Sequence, residues 1–136
     1  MLEVTQAALL EAETSLAGEL RSAGEARRFV DETLRRWDCA DLLDTVKLLI
    51  SEMVTNAVVH AGSDVDVCVQ LTDRVVRVSV FDDSPQQPVV KRAAAEETSG
   101  RGMALVDAMS SGWGVEPTFK GKRVWFELPR PDLRQG

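Results

Sequence analysis

Long apolar runs are missing from this 136-residue chain. The longest, from Val46 to Val59, is broken by Lys47, Glu52 and Asn56, whereas a membrane span needs roughly 20 apolar residues in succession. Cysteine is scarce. Cys39 and Cys68 show no CxxC spacing and have no histidine partner nearby, so they read as two small buried thiols rather than a disulfide or a metal site. Histidine occurs once, as His60. Positive charge is also short: 16 Lys and Arg face 22 Asp and Glu, a net charge of −6. The cations fall in isolated doublets such as Arg27-Arg28, Arg35-Arg36 and Lys91-Arg92. Recognition of a nucleic-acid backbone needs clustered cations, so direct nucleic-acid binding is excluded. No GxxxxGK[ST] phosphate loop occurs. The start, MLEVTQAALLEAE, is acidic and lacks the basic flank and cleavage site of a secretory signal, so the expected location is cytoplasmic.

What is present is a balance of 44% apolar and 28% charged residues, which suits one soluble domain with one core. Residues 1–20 form an Ala/Glu-rich lead-in expected to be partly helical or mobile, residues 21–130 the domain, and residues 131–136 a tail. Ser22 and Glu25 have the spacing of a capping box, and Ala26, Phe29, Val30, Leu34 and Trp37 follow at helical intervals, predicting a helix over 23–37. A second helix is predicted with Asp41 as its cap. Leu43, Val46, Ile50, Met53, Val54 and Ala57 form its apolar stripe, and Ala61-Gly62 its end.

The period then drops to two. Val65, Val67, Val69 and Leu71 alternate with polar neighbours, and after Thr72-Asp73 so do Val76, Val78 and Val80, predicting an antiparallel hairpin. Residues 83–99 read as a long functional loop. A short helix from Met103 to Met109 and strands near 113–118 and 123–128, turning at Lys120-Gly121, complete the pattern. The expected fold is α+β: a two-layer sandwich with helices on one face of a mixed, mainly antiparallel sheet.

Three groups of residues carry chemistry. Glu52, Asn56 and His60 recur every four residues, so they share one helical stripe. A carboxylate and a carboxamide one turn apart suit a hard cation such as Mg²⁺, although such a stripe is equally the solvated face of a helix. Asp82 closes the second hairpin strand, where it could accept a hydrogen bond from a ligand amine or simply terminate the strand. Gly100-Arg101-Gly102 precedes a helix whose first N–H groups could face phosphate, with Arg101 adding charge.

In order and spacing these pieces resemble the GHKL ATPases, histidine-kinase-like domains of the Bergerat type, over about residues 22–128. Within that superfamily the chain is most similar to small anti-sigma-factor serine/threonine kinases. EMVTNAVVH (52–60) resembles the family's N box, Asp82-Asp83-Ser84-Pro85 its first glycine box, SGRGMALV (99–106) its second, and GKRVWFEL (121–128) its closing strand. The resemblance implies a fold that binds ATP with Mg²⁺. Asn56 would be the metal ligand and Glu52 the general base. Asp82 would accept from the adenine amine and so favour ATP over GTP. Ser84, Gly100, Arg101, Gly102 and Met103 would complete the nucleotide site, with residues 84–99 as a lid.

The implied function is phosphorylation of a serine on an anti-sigma-factor antagonist, together with sequestration of a sigma factor, in a homodimer. The family has Asp-x-Gly in its first box, and here Ser84 takes the third place. That departure keeps open a nucleotide-binding module without transfer activity, and a plain α+β interaction domain is the remaining alternative. His60 lies on the site helix itself, so it reads as a helix-end residue rather than a phosphoacceptor. Trp37, Trp113 and Trp125 read as core or interface anchors.

Overall fold

The computed structural model describes residues 8–84 and 101–130, with residues 101 and 102 described for their backbone only. In chain order these hold β1 (Leu10–Leu16), α1 (Ser22–Arg36), a 3-10 turn (Ala40–Leu42), α2 (Leu43–Ala61), β2 (Val65–Leu71), β3 (Val75–Asp82), α3 (Arg101–Met109), β4 (Gly112–Pro117) and β5 (Lys122–Pro129).

The strands form one sheet in the order β1-β2-β3-β5-β4, with helices on one face: the α+β two-layer sandwich expected. Every described pairing is antiparallel, so the mixed character expected of the sheet is not found among these strands. The reason is the path of the chain. Helices α1 and α2 run out and back, so β2 begins beside the end of β1, at the pair Leu16↔Val65, and must run the other way. Tight turns join β2 to β3 and β4 to β5.

Alternation along the strands builds the inner face. Val67, Val80 and Val124 stand in one cross-strand row, and Val69, Val78 and Phe126 in the next. The apolar stripe of α2 covers these rows with Val46, Leu49, Ile50, Met53, Val54 and Ala57, all buried. Helix α2 lies between its neighbours: α1 contributes Val30 and Leu34, and α3 contributes Met103 and Val106. Each such side chain stabilises the fold by about 1.5–3 kcal/mol relative to exposure.

The end of α2 is as expected. Gly62 takes a left-handed φ of 66° and its N–H donates to the Val58 carbonyl. Both expected helix starts differ. Ser22 is the first residue of α1 rather than its cap: its N–H already donates to the Glu19 carbonyl, and its hydroxyl donates to the Ala17 carbonyl at 2.6 Å. With the backbone N–H satisfied, the Glu25 half of a capping box has nothing to bond. Asp41 sits inside the 3-10 turn, and α2 starts at Leu43 without a side-chain cap. The preceding turn delivers the chain in helical geometry.

The lead-in expected to be helical or mobile holds β1 instead. Its residues, LEAETSL, include good helix formers, but the strand pairs with all of β2 from Leu10↔Leu71 to Leu16↔Val65. Pairing with a waiting strand edge overrides a weak local propensity.

Candidate functional site

Helix α2 presents its polar stripe where its apolar face ends. Glu52 and Asn56 are half-buried one turn apart, and His60 is exposed one turn further on, at the helix end. The side-chain oxygen Oδ1 of Asn56 is buried and accepts no hydrogen bond from the described residues. An unpaired buried acceptor costs about 1–3 kcal/mol, so native structures seldom leave one without a ligand, ion or water. Glu52 makes no ion pair or side-chain hydrogen bond among the described residues. The pair fits a hard cation, because both offer oxygen and the Asn56 oxygen has no competing donor among the described residues.

Asp82 is the last residue of β3 and faces Lys122, the first of β5, as its direct cross-strand partner. Both side chains point inward, continuing the rows of Val76, Val78 and Val80 on β3 and Val124, Phe126 and Leu128 on β5. The Lys122 Nζ donates to Asp82 Oδ1 at 3.0 Å, with side-chain exposures of only 7% and 2%. The same Oδ1 accepts from the Ser84 N–H at 2.8 Å, and Nζ also reaches the Ser84 carbonyl at 3.4 Å. The strand-end carboxylate is thus held in a buried ion pair.

Gly121 makes this approach possible: a Cβ there would lie 2.2 Å from the Asp82 carbonyl oxygen and 2.5 Å from the Asp83 carbonyl carbon. None of the sequence motifs marks Lys122 as a site residue. Its signal was parity, since a lysine at an inward position of an apolar strand needs a partner. A cleft of about 530 Å³ opens beside Asp82, walled by Asp64, Asp83, Thr118 and Lys120 among others.

The remaining expected residues are spread over α3 and the segment before it. Gly100 and residues 85–99 of the expected lid lie outside the described residues. The backbones of Arg101 and Gly102 open α3, where the first N–H groups lack intrahelical partners. The Met103 side chain is 2% exposed and belongs to the core, so only its backbone N–H is available to a ligand.

Both thiols are free and buried, as expected. Trp37 and Trp113 pack against the core, and the Trp113 Nε1 donates to Asp107 at 2.8 Å. Trp125 lies on the opposite face of the sheet, close over Gly114, with the Arg123 guanidinium 5.7 Å from its ring centre. Among the described residues no helix is long and apolar enough to cross a membrane.

A sheet of five strands under a central helix that carries a glutamate one turn before an asparagine, with an aspartate at the end of the middle strand, is consistent with a histidine-kinase-like ATPase domain. A family model of that description matches residues 16–127, and the chain belongs to that family. Among individual proteins, the chain is similar to the anti-sigma F factor of Clostridium acetobutylicum, with 29% identity over 92 residues. The match covers 59% of this chain and 64% of that protein, just under two thirds of its length. An uncharacterised protein of Streptomyces coelicolor is 38% identical over 72 residues, covering 49% of this chain and 69% of that protein. Among solved structures, the RsbU and RsbW domains of Rv1364c from Mycobacterium tuberculosis share the fold. The TM-score is 0.68 at 21% identity, covering 90% of this chain and 33% of that one.

Proposed function

We propose that this chain binds ATP with Mg²⁺, phosphorylates a serine on an anti-sigma-factor antagonist, and holds a sigma factor, acting as a cytoplasmic homodimer. The observation that carries the proposal is the buried Asn56 Oδ1, one turn from Glu52, with neither group paired among the described residues. The family match supports ATP as the nucleotide, and the similarity to an anti-sigma F factor supports the class of partner.

In this reading Asn56 holds the cation through Oδ1. Magnesium, when bound, neutralises charge on the nucleotide phosphates. Glu52 accepts the proton of the serine hydroxyl, and no ion pair among the described residues ties up its carboxylate. The opening N–H groups of α3, at Arg101, Gly102 and Met103, face the phosphates together with Gly100, while Asp82 and Ser84 border the base. Phosphate added to the antagonist places negative charge against a protein of net charge −6, which weakens that complex.

The test is Glu52→Gln. Calorimetry should show ATP binding within about threefold of the unaltered protein. Transfer of labelled γ-phosphate to the antagonist should fall by at least about a hundredfold, the usual share of a general base. Transfer at an unchanged rate would remove Glu52 from the reaction and the proposal with it.

A second reading is a nucleotide-binding interaction module that transfers nothing. Ser84 in the place of a glycine and the Lys122 ammonium on Asp82 favour it. It predicts that Glu52→Gln leaves the regulatory effect on the partners untouched.

A further inference from the structure

We propose that Lys122 sets the base specificity of the nucleotide site. By holding Asp82, it makes the pocket indifferent to whether a purine carries an amino or an oxo group at position 6. The proposal rests on the reading above that this site takes a purine nucleotide.

Asp82 already spends one of its two carboxylate oxygens inside the protein. Its Oδ1 receives the Lys122 ammonium at 3.0 Å and the Ser84 N–H at 2.8 Å, which fills both lone pairs of that oxygen. The ammonium is a charged donor, and its bond to a carboxylate is stronger than any that a neutral base amine can offer. Drawing it away would leave a desolvated cation in a pocket where Lys122 is 6% exposed. Asp82 Oδ2 accepts from none of the described residues, so an incoming 6-amino group can donate only there, to a carboxylate whose charge the ammonium already balances.

The same lysine serves the opposite kind of base. Of its three N–H groups, two go to Asp82 Oδ1 and the Ser84 carbonyl among the described residues. The third is a donor that a 6-oxo oxygen can accept. Strong discrimination by hydrogen bonding arises when the wrong ligand strands a buried polar group, and here neither purine strands one. The lysine is also fixed in place. With the Gly121 backbone pressed against the end of β3, the turn that carries Lys122 has no room to shift toward that strand.

The experiment is calorimetric titration of the full chain with the magnesium salts of ATP, GTP and purine riboside triphosphate, which bears only hydrogen at position 6. The three dissociation constants should agree within about threefold, and in Lys122→Met, with Asp82 released, ATP should gain at least about tenfold over GTP. A preference of the unaltered protein for ATP over both other nucleotides by about tenfold or more overturns the proposal. So does an unchanged ratio in the variant. If Lys122→Met fails to fold, the series on the unaltered protein decides alone, because purine riboside triphosphate lacks the amine that Asp82 would read. Binding with a clear adenine preference removes only the role of Lys122. No binding of any of the three to folded protein removes the nucleotide reading as well.

Discussion

Lys122→Met should destabilise the fold by about 3 kcal/mol, the lower end of the roughly 3–5 kcal/mol cost of leaving one member of a buried ion pair alone. The structure supports a value in this range. The two charged groups are 3.0 Å apart and side-chain exposure is 7% for Lys122 and 2% for Asp82. At an effective dielectric of about 20 their gross attraction is roughly 5 kcal/mol, most of it offset by the cost of removing both from water. The methionine replaces the aliphatic stem, so little packing is lost and the deficit falls on the carboxylate. The Ser84 N–H still donates to Asp82 Oδ1 after the change, which places the expected cost at the lower end. For a domain of this length about 3 kcal/mol lowers Tm by roughly 10 °C.

The decisive comparison is the double variant Asp82→Asn with Lys122→Met, which buries no net charge. It should be more stable than the Lys122 single variant, with a coupling energy of about 2 kcal/mol or more in the double-mutant cycle. Urea denaturation followed by circular dichroism measures all four proteins, and a constant slope m certifies that stability alone has changed. A loss below about 1 kcal/mol for Lys122→Met, or additive single effects, would refute the reasoning. Either result would mean that the pair is wet and weakly coupled, like a surface salt bridge.

Other expectations follow from the core and the strand ends. Phe126→Ala removes the largest fully buried side chain and should cost about 3–5 kcal/mol in the same urea assay; a loss under about 1 kcal/mol would show that the site collapses or is hydrated. Gly121→Ala places a Cβ 2.2 Å from the Asp82 carbonyl oxygen, a backbone clash that should lower stability by about 1–3 kcal/mol, and unchanged unfolding would contradict the close approach of the turn. Burial, seconded by Glu11 and Glu13, pushes the Cys68 thiol up to about 11. At pH 8.5 iodoacetamide should therefore alkylate native Cys68 at least roughly a hundredfold more slowly than in urea, and equal rates would show an accessible thiolate. Because the folded value lies above the ordinary 9.0, this thiol's contribution to stability is present below that pH and is lost as pH rises through about 11.

How much of this could be read in advance differs by element. Helix α2 was legible from Leu43 to Gly62, because a six-residue apolar stripe and a left-handed glycine are both local signals. The β2–β3 hairpin was legible for the same reason, through a run of inward valines on either side of a short turn. Caps were not. Ser22 and Asp41 have the right chemistry for helix starts, yet the turns before them had already placed the chain in helical geometry. Strand β1 was hidden because Leu10–Leu16 reads as helix or coil until the edge of β2 lies beside it. At the site, Glu52 and Asn56 were visible as one stripe, whereas Lys122 was visible only as a misplaced charge.

The sequence alone determined the periodic elements, the layering of helices over a sheet, and the shared stripe of Glu52 and Asn56, since each depends on neighbours within about two turns or one hairpin. Tertiary structure decided the place of β1, the order β1-β2-β3-β5-β4, and the pairing of Asp82 with Lys122. These depend on segments far apart along the chain, which meet only when the apolar faces of α1, α2 and α3 close over one side of the sheet. What the buried carboxylate can recognise is set by that closure, because only there does the ammonium of β5 reach the end of β3.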